Sequence, residues 1–194
     1  VNNFIDGKDV PTESYLDSFN PSTEEVIAHI PDSSPEDANQ AIEAARKAFP
    51  AWSRQTATKR AYYLNKIADL IQERLEDFAR AESLDQGKPL SLARTLEIPR
   101  AVENFRFFAQ AITQSRESFT QHGTVPNAIT YTTRSPVGVA VLISPWNLPL
   151  YLLTWKIAPC IAFGCTCVCK PSEFTSVTAG MLAQVMQDIG MYLC

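Results

Sequence analysis

Residues 137–143, Val-Gly-Val-Ala-Val-Leu-Ile, are apolar without a break. A run with no polar face predicts a strand covered on both sides, as in a parallel sheet. Residues 148–163 follow as a helix, and 166–169 repeat the buried-strand pattern. Residues 175–189 read as a further helix, with Ser172 or Thr175 as its cap. Strand–helix–strand–helix implies a parallel pair joined by a right-handed crossover, so the fold class is α/β. A membrane span wants about 20 uninterrupted apolar residues. Pro145, Asn147, Pro149, Pro159 and Gly164 interrupt the stretch 137–169. Buried strand–helix–strand is the better account, and no membrane partner is expected.

Upstream, turn residues between β-favouring runs within 4–30 suggest a hairpin. A helix is expected from Ser34 as cap, with Pro35 at its first position and Glu36 and Asp37 at its positive end. Ala38, Ile42, Ala45 and Phe49 recur on one face, and Pro50 is the expected stop. A second helix is predicted over 57–83 with the stripe Leu64, Ile67, Ile71, Leu75 and Phe78, stopped by Gly87 and Pro89. A third covers 91–113, with Pro99 as a kink or restart and its aromatics in the core. Residues 115–127 are polar and irregular, and 129–134 alternate as a strand would.

A chain of 194 residues can bury a real core. Its net charge of −4 is scattered and gives no sign of a nucleic-acid partner. The start has neither a basic region nor an apolar one, so no secretory signal is read. It also lacks Met, which suggests a trimmed chain or a fragment. All five cysteines, Cys160, Cys165, Cys167, Cys169 and Cys194, lie in the last 35 residues. That clustering argues for reduced thiols in a cytoplasmic protein rather than a disulfide framework. Cys165, Cys167 and Cys169 alternate and point to one face. Adjacent thiols can bind a soft metal, but small buried packing residues are the weightier reading, and no metal site is predicted.

Ligands in open α/β sheets bind outside the carboxyl ends of the strands. The first strand ends at Ile143-Ser144, followed by Pro145-Trp146-Asn147. The second ends at Cys169, followed by Lys170-Pro171-Ser172-Glu173. Two polar clusters therefore fall on one rim. By themselves a Lys and a Glu at strand ends are more often a solvated pair than a cofactor clamp. The G-x-G dinucleotide fingerprint is missing, as are a P-loop, G-x-S-x-G and H-E-x-x-H.

The run from Ser135 to Leu150 reads SPVGVAVLISPWNLPL. With Trp155-Lys156, Ala158-Pro159, Gly164 and Lys170-Pro-Ser-Glu173 in order behind it, the chain resembles the aldehyde dehydrogenase superfamily over residues 3–190. Arg94-Thr95, Arg106 to Ala109 and Tyr151 to Trp155 resemble its 2-aminomuconic semialdehyde branch most. The resemblance implies N-terminal helices and a hairpin on the first half of a parallel, Rossmann-like sheet. It divides the chain into 1–134, a helical and oligomerisation-strand region, 135–190, the first βαβα of the nucleotide-binding sheet, and a divergent end at 191–194.

The implied activity is NAD-dependent oxidation of an aldehyde to an acid through a cysteine thiohemiacetal, hydride transfer and thioester hydrolysis. Asn147 matches the oxyanion donor, a role worth about 2.7–4 kcal/mol in such sites. Ile143, Ser144, Pro145 and Trp146 match the strip along NAD. Lys170 and Glu173 match the pair at the adenosine ribose, with Ser172 between them counted among the cofactor contacts. A carboxylate there accepts from ribose hydroxyls and repels a 2′-phosphate, favouring NAD over NADP. Trp155 matches a tunnel aromatic, with plain helix packing as the alternative. Arg100 is the candidate cation for a carboxylate-bearing substrate, while Arg106 reads better as a solvated helix charge. The resemblance also implies a homo-oligomer and a small aldehyde substrate.

After Gly190 the match fails, and Met191-Tyr192-Leu193-Cys194 follow. The base Glu and nucleophilic Cys are expected later in the family than these residues reach, and Cys194 is no substitute for the latter. Three expectations follow: an incompletely recorded dehydrogenase that is inactive as it stands, a short nucleotide-binding or subunit-interaction module, and a membrane segment at 137–169.

Overall fold

The computed structural model describes residues 1–114 and 128–191, with the backbone of 119–121. Residues 192–194 fall outside it, so the expectations on Cys194 and the divergent end are not addressed by it. Two antiparallel hairpins open the chain, where a single one was expected: β1 (Asn3–Ile5) with β2 (Lys8–Val10), and β3 (Tyr15–Phe19) with β4 (Val26–Pro31).

Helix α1 (Pro35–Ser53) starts where the sequence says it should. Ser34 accepts from the Asp37 amide at 3.1 Å and the Asp37 carboxylate accepts from the Ser34 amide at 2.9 Å, a reciprocal cap. Its end is not at Pro50. An interior Pro costs about 3 kcal/mol, yet the helix runs on to Ser53. Trp52 supplies the reason: it is buried, and its indole N–H donates to the Ile161 carbonyl at 3.0 Å. Long-range packing outweighs the local break.

The helix expected over 57–83 is two. Helix α2 (Ala57–Glu73) yields at Arg74 to α3 (Leu75–Gln86). Gly87 closes α3 with φ +83°, its amide donating to the Ser83 carbonyl at 2.9 Å. After a short turn, α4 (Leu90–Leu92), residues Ala93–Glu97 form a π-helical turn, and α5 (Ile98–Thr113) follows with Pro99 in its first turn. Phe105 and Val102 of α5 pack with Leu64, Ile67 and Ile71 of α2 in the buried core.

Strand β5 (Phe119–Gln121) pairs antiparallel with β6 (Ile129–Tyr131). Polar composition predicts an irregular segment at 119–121, yet these residues pair with a strand that begins only eight residues on. Strand β7 (Val139–Ile143) then pairs in parallel with β8 (Thr166–Lys170) across the helix α6 (Pro149–Ala162), and α7 (Val177–Asp188) follows. The expected βαβα is present, and the α/β class holds.

One expectation fails on the sheet. Helix α1 covers one face only at its entry end, where the Thr166 hydroxyl donates to the Ala45 carbonyl at 2.8 Å. Further along that face Val141 is 58% and Ile143 62% exposed. Val137 at the head of the run is 92% exposed as well, and of the run's side chains only Val139, Ala140 and Leu142 are half-buried.

The N-terminal helices also hold the far end of α6. The Arg60 Nε donates to the Ala162 carbonyl at 2.7 Å, placing a cation at the negative end of α6. Beyond it, Gly164 turns the chain into β8 with φ +87°.

Candidate functional site

The parallel register sets Ile143 opposite Lys170, and the Ser144 amide donates to the Lys170 carbonyl at 3.1 Å. The chain leaves both strands at the same level. Residues 144–147 and 170–173 therefore share one rim, as the sequence reading required. Pro145, Trp146 and Asn147 are exposed there, as are Lys170 and Glu173. The ammonium of Lys170 donates to Glu173 at 3.0 Å. The backbone amide of Glu173, and then Lys170, hold its carboxyl below the usual carboxylate range.

Ser172 faces inward. Its hydroxyl accepts from the Phe174 amide at 3.4 Å, and its carbonyl takes the Thr175 amide and the Ser176 hydroxyl. It shapes the turn before α7 and does not cap it; neither does Thr175, since the N-cap position is Ser176, whose side chain makes no capping bond. The hydroxyls of Ser144 and Thr175 are buried beside the rim, with no hydrogen-bond partner among the described residues.

Trp155 is 51% exposed on α6, its ring 5.3 Å from that of Tyr151. The Arg100 guanidinium of α5 lies 5.5 Å from the Tyr151 ring centroid. Arg100, Tyr151 and Trp155 thus form one ladder across α5 and α6. Arg106 instead pairs with Asp69 at 3.2 Å, in keeping with its reading as a helix surface charge.

Comparison with known proteins agrees with this geometry. The model of the aldehyde dehydrogenase family matches residues 8–191. The chain belongs to the aldehyde dehydrogenase family. It is 54% identical to 2-aminomuconic semialdehyde dehydrogenase of Bos taurus and 53% identical to that of Homo sapiens, each over 191 residues and 98% of this chain. It spans 39% of the length of these relatives. Among solved structures, a putative aldehyde dehydrogenase from Burkholderia cenocepacia superposes with a TM-score of 0.93 at 36% identity. A betaine aldehyde dehydrogenase variant from Staphylococcus aureus, solved with NAD+, gives 0.92 at 36%. Each of these covers 98% of this chain and 39% of the other.

What the sequence reading missed lies beneath the rim of this aldehyde dehydrogenase chain. Neither α6 nor α7 has a side-chain cap of its own. Helix α3 supplies both from below. Glu82 accepts the Leu150 amide at 3.2 Å with one oxygen and the Thr178 hydroxyl at 2.7 Å with the other. Asp85 accepts the Val177 amide at 3.0 Å and the Ser18 hydroxyl at 2.8 Å. Carboxylates here meet the positive ends of both helices. Burial nonetheless pushes the Glu82 and Asp85 carboxyls up from their ordinary values.

Lys88 completes the network. Its buried ammonium pairs with Glu97 and lies 3.7 Å from Glu82. It also donates to the Asn147 backbone carbonyl at 3.3 Å. On the other side Lys156 donates to the Ile143 carbonyl. The segment carrying Asn147 is therefore fixed at both ends by lysines. A signal existed for part of this: Phe78, Glu82 and Asp85 follow helical spacing, so two carboxylates fall on an otherwise apolar stripe.

No helix among the described residues is long and apolar enough to cross a membrane, which removes the membrane segment at 137–169. No group of three or more metal-ligating side chains occurs among them.

Proposed function

We propose that these residues form the first half of the NAD-binding region of an aldehyde dehydrogenase that oxidises a carboxylate-bearing semialdehyde. The observation that carries this is the register of Ile143 against Lys170, which puts the two polar segments on one rim. The residues there suit a dinucleotide. Trp146 offers an exposed flat ring, and Lys170 and Glu173 offer a donor and an acceptor for ribose hydroxyls. Glu173 carries the preference for NAD over NADP, because a carboxylate repels a 2′-phosphate.

The Asn147 side-chain amide is assigned to donate to the aldehyde oxygen as negative charge grows on it. Lys88 and Lys156 keep its backbone in place, so little reorganisation accompanies that step. NAD, when bound, accepts the hydride. Arg100, with Tyr151 and Trp155, is assigned to the carboxylate of the semialdehyde. The relatives named 2-aminomuconic semialdehyde dehydrogenase support that substrate class. The nucleophile and base are assigned to the part of the family fold outside this 39%. A cytoplasmic homo-oligomer is proposed with them, the boundary between its regions falling near residue 134.

Titration with NAD+ and NADP+, read by tryptophan fluorescence, tests the cofactor reading. Saturable quenching by NAD+ is expected, weaker with NADP+, and the difference should shrink in Glu173→Gln while Asn147→Ala leaves it unchanged. Absence of any saturable response to NAD+ in the folded chain would sink it. The 194 residues alone should form no NADH from a semialdehyde. Turnover that disappears in Cys194→Ala would overturn the assignment of the nucleophile. Binding without turnover is the outcome that suits a nucleotide-binding or subunit-interaction role.

A further inference from the structure

Cys165, just ahead of strand β8, and Cys167 and Cys169 within it stand at alternate positions, and the proposed dehydrogenase chemistry uses none of them. Spacing alone treats Cys165–Cys167 and Cys167–Cys169 as equivalent pairs. The fold brings two of the sulfurs together: the Cys169 thiol lies 3.9 Å from the Cys167 sulfur. Cys167 is buried against the core, and Cys169 is half-buried one residue before the rim at Lys170.

Two outcomes compete for such a pair. Alternate strand residues have Cα atoms roughly 6.6 Å apart, twice the strand rise. That is the long end of the range a disulfide spans, about 4.4–6.8 Å, and the sulfurs would have to close to about 2.05 Å. Oxidation therefore strains the strand. A single atom bonded to both sulfurs strains it much less. At thiolate bond lengths of about 2.3 Å, a centre with bond angles of about 95–110° spans sulfurs roughly 3.4–3.8 Å apart. A metal that needs three or four protein ligands is not served, since no such group occurs among the described residues. A centre that demands two thiols is.

We propose that Cys167 and Cys169 form a capture site for monosubstituted trivalent arsenicals. The bridge forms without change of oxidation state. The arsenic–oxygen bond of R–As=O breaks, two arsenic–sulfur bonds form, and the oxygen leaves as water with the two thiol protons. The more accessible Cys169 reacts first, and the Cys167 bond then closes intramolecularly, which supplies a high effective concentration.

Phenylarsine oxide is the probe, with intact-mass and free-thiol counts on the native chain. One phenylarsenic per chain and loss of two thiols are expected. Cys160→Ser and Cys165→Ser should keep the native adduct, and Cys167→Ser and Cys169→Ser should lose it. In guanidinium, Cys169→Ser should regain an adduct through Cys165 and Cys167, because the unfolded chain no longer selects a pair. Circular dichroism melts verify that each variant is folded, and Cys169→Ala replaces Cys169→Ser if the latter is not. An unreactive native chain, a native adduct that survives Cys169→Ser or Cys169→Ala in folded protein, or one lost in Cys165→Ser overturns the proposal.

Discussion

Glu82 of α3 caps a helix that begins 67 residues later: its carboxylate accepts the Leu150 amide of α6 at 3.2 Å. With Asp85 one turn on, a single helix face organises both connections of the parallel sheet. The rim is thus built by the strands and levelled from beneath by α3.

Lys88→Met should expose how far this network matters. The variant leaves Glu82 and Glu97 buried without their shared cation. Breaking a buried pair from one side costs about 3–5 kcal/mol. Urea denaturation should show a lowered midpoint with an unchanged slope. The deficit should shrink towards acid, where Glu82, already pushed up by burial, takes a proton.

Asp85 and Glu82 set a pH dependence with a definite sign. Burial raises both carboxyls above their ordinary 3.8 and 4.5, so between those values and the folded ones the native state holds more protons than the unfolded. Their contribution to stability is fully present below the ordinary values and declines as pH rises through the window above them. Exposed Asp188, held low mainly by Arg74, acts oppositely and loses its contribution as pH falls below 3.8. Asp85→Asn should flatten the decline above pH 3.8 in denaturant-midpoint scans, at a cost of about 1 kcal/mol near neutrality. An unchanged slope would refute the assignment.

Two glycines with similar backbone separate strain from crowding. Gly164 has φ +87°, and a Cβ there would sit 2.8 Å from the Pro136 Cγ. Gly190 has φ +67° and nothing within 4 Å among the described residues. Gly190→Ala should cost about 1–2 kcal/mol from the left-handed backbone alone. Gly164→Ala should cost a further 1–3 kcal/mol or so, from the forced shift of Pro136. Thermal melts of the two variants side by side give the difference.

Trp52 joins α1 to the end of α6 by one bond and by packing. Trp52→Phe removes the donor to the Ile161 carbonyl while keeping an aromatic ring, at a cost of about 1–3 kcal/mol for the orphaned acceptor. Trp52→Ala also opens a cavity and should lose about 3–5 kcal/mol. If the stabilities of the two variants coincide, packing is not what carries α1 past Pro50.

Where a decision was local, the sequence alone made it. The apolar runs ending at Ile143 and Cys169 specify strands, Ser34 with Asp37 specifies a cap, and Gly87 specifies a left-handed stop, because each acts through its own backbone or nearest neighbours. The placing of 144–147 beside 170–173 was also legible, since a parallel βαβ unit admits one level for both strand ends. Tertiary structure decided what depends on partners remote in the chain. Pro50 did not end α1 because Trp52 found Ile161. Helical spacing puts Glu82 and Asp85 on the apolar stripe, but what they and Lys88 hold is decided only when α6, α7 and Asn147 arrive above them. Val141 and Ile143 look buried by composition, yet exposure is a property of what packs against a face, and α1 reaches only the start of the strands. The 3.9 Å between the Cys167 and Cys169 sulfurs is likewise a tertiary fact, since alternate spacing allows such a contact without setting it.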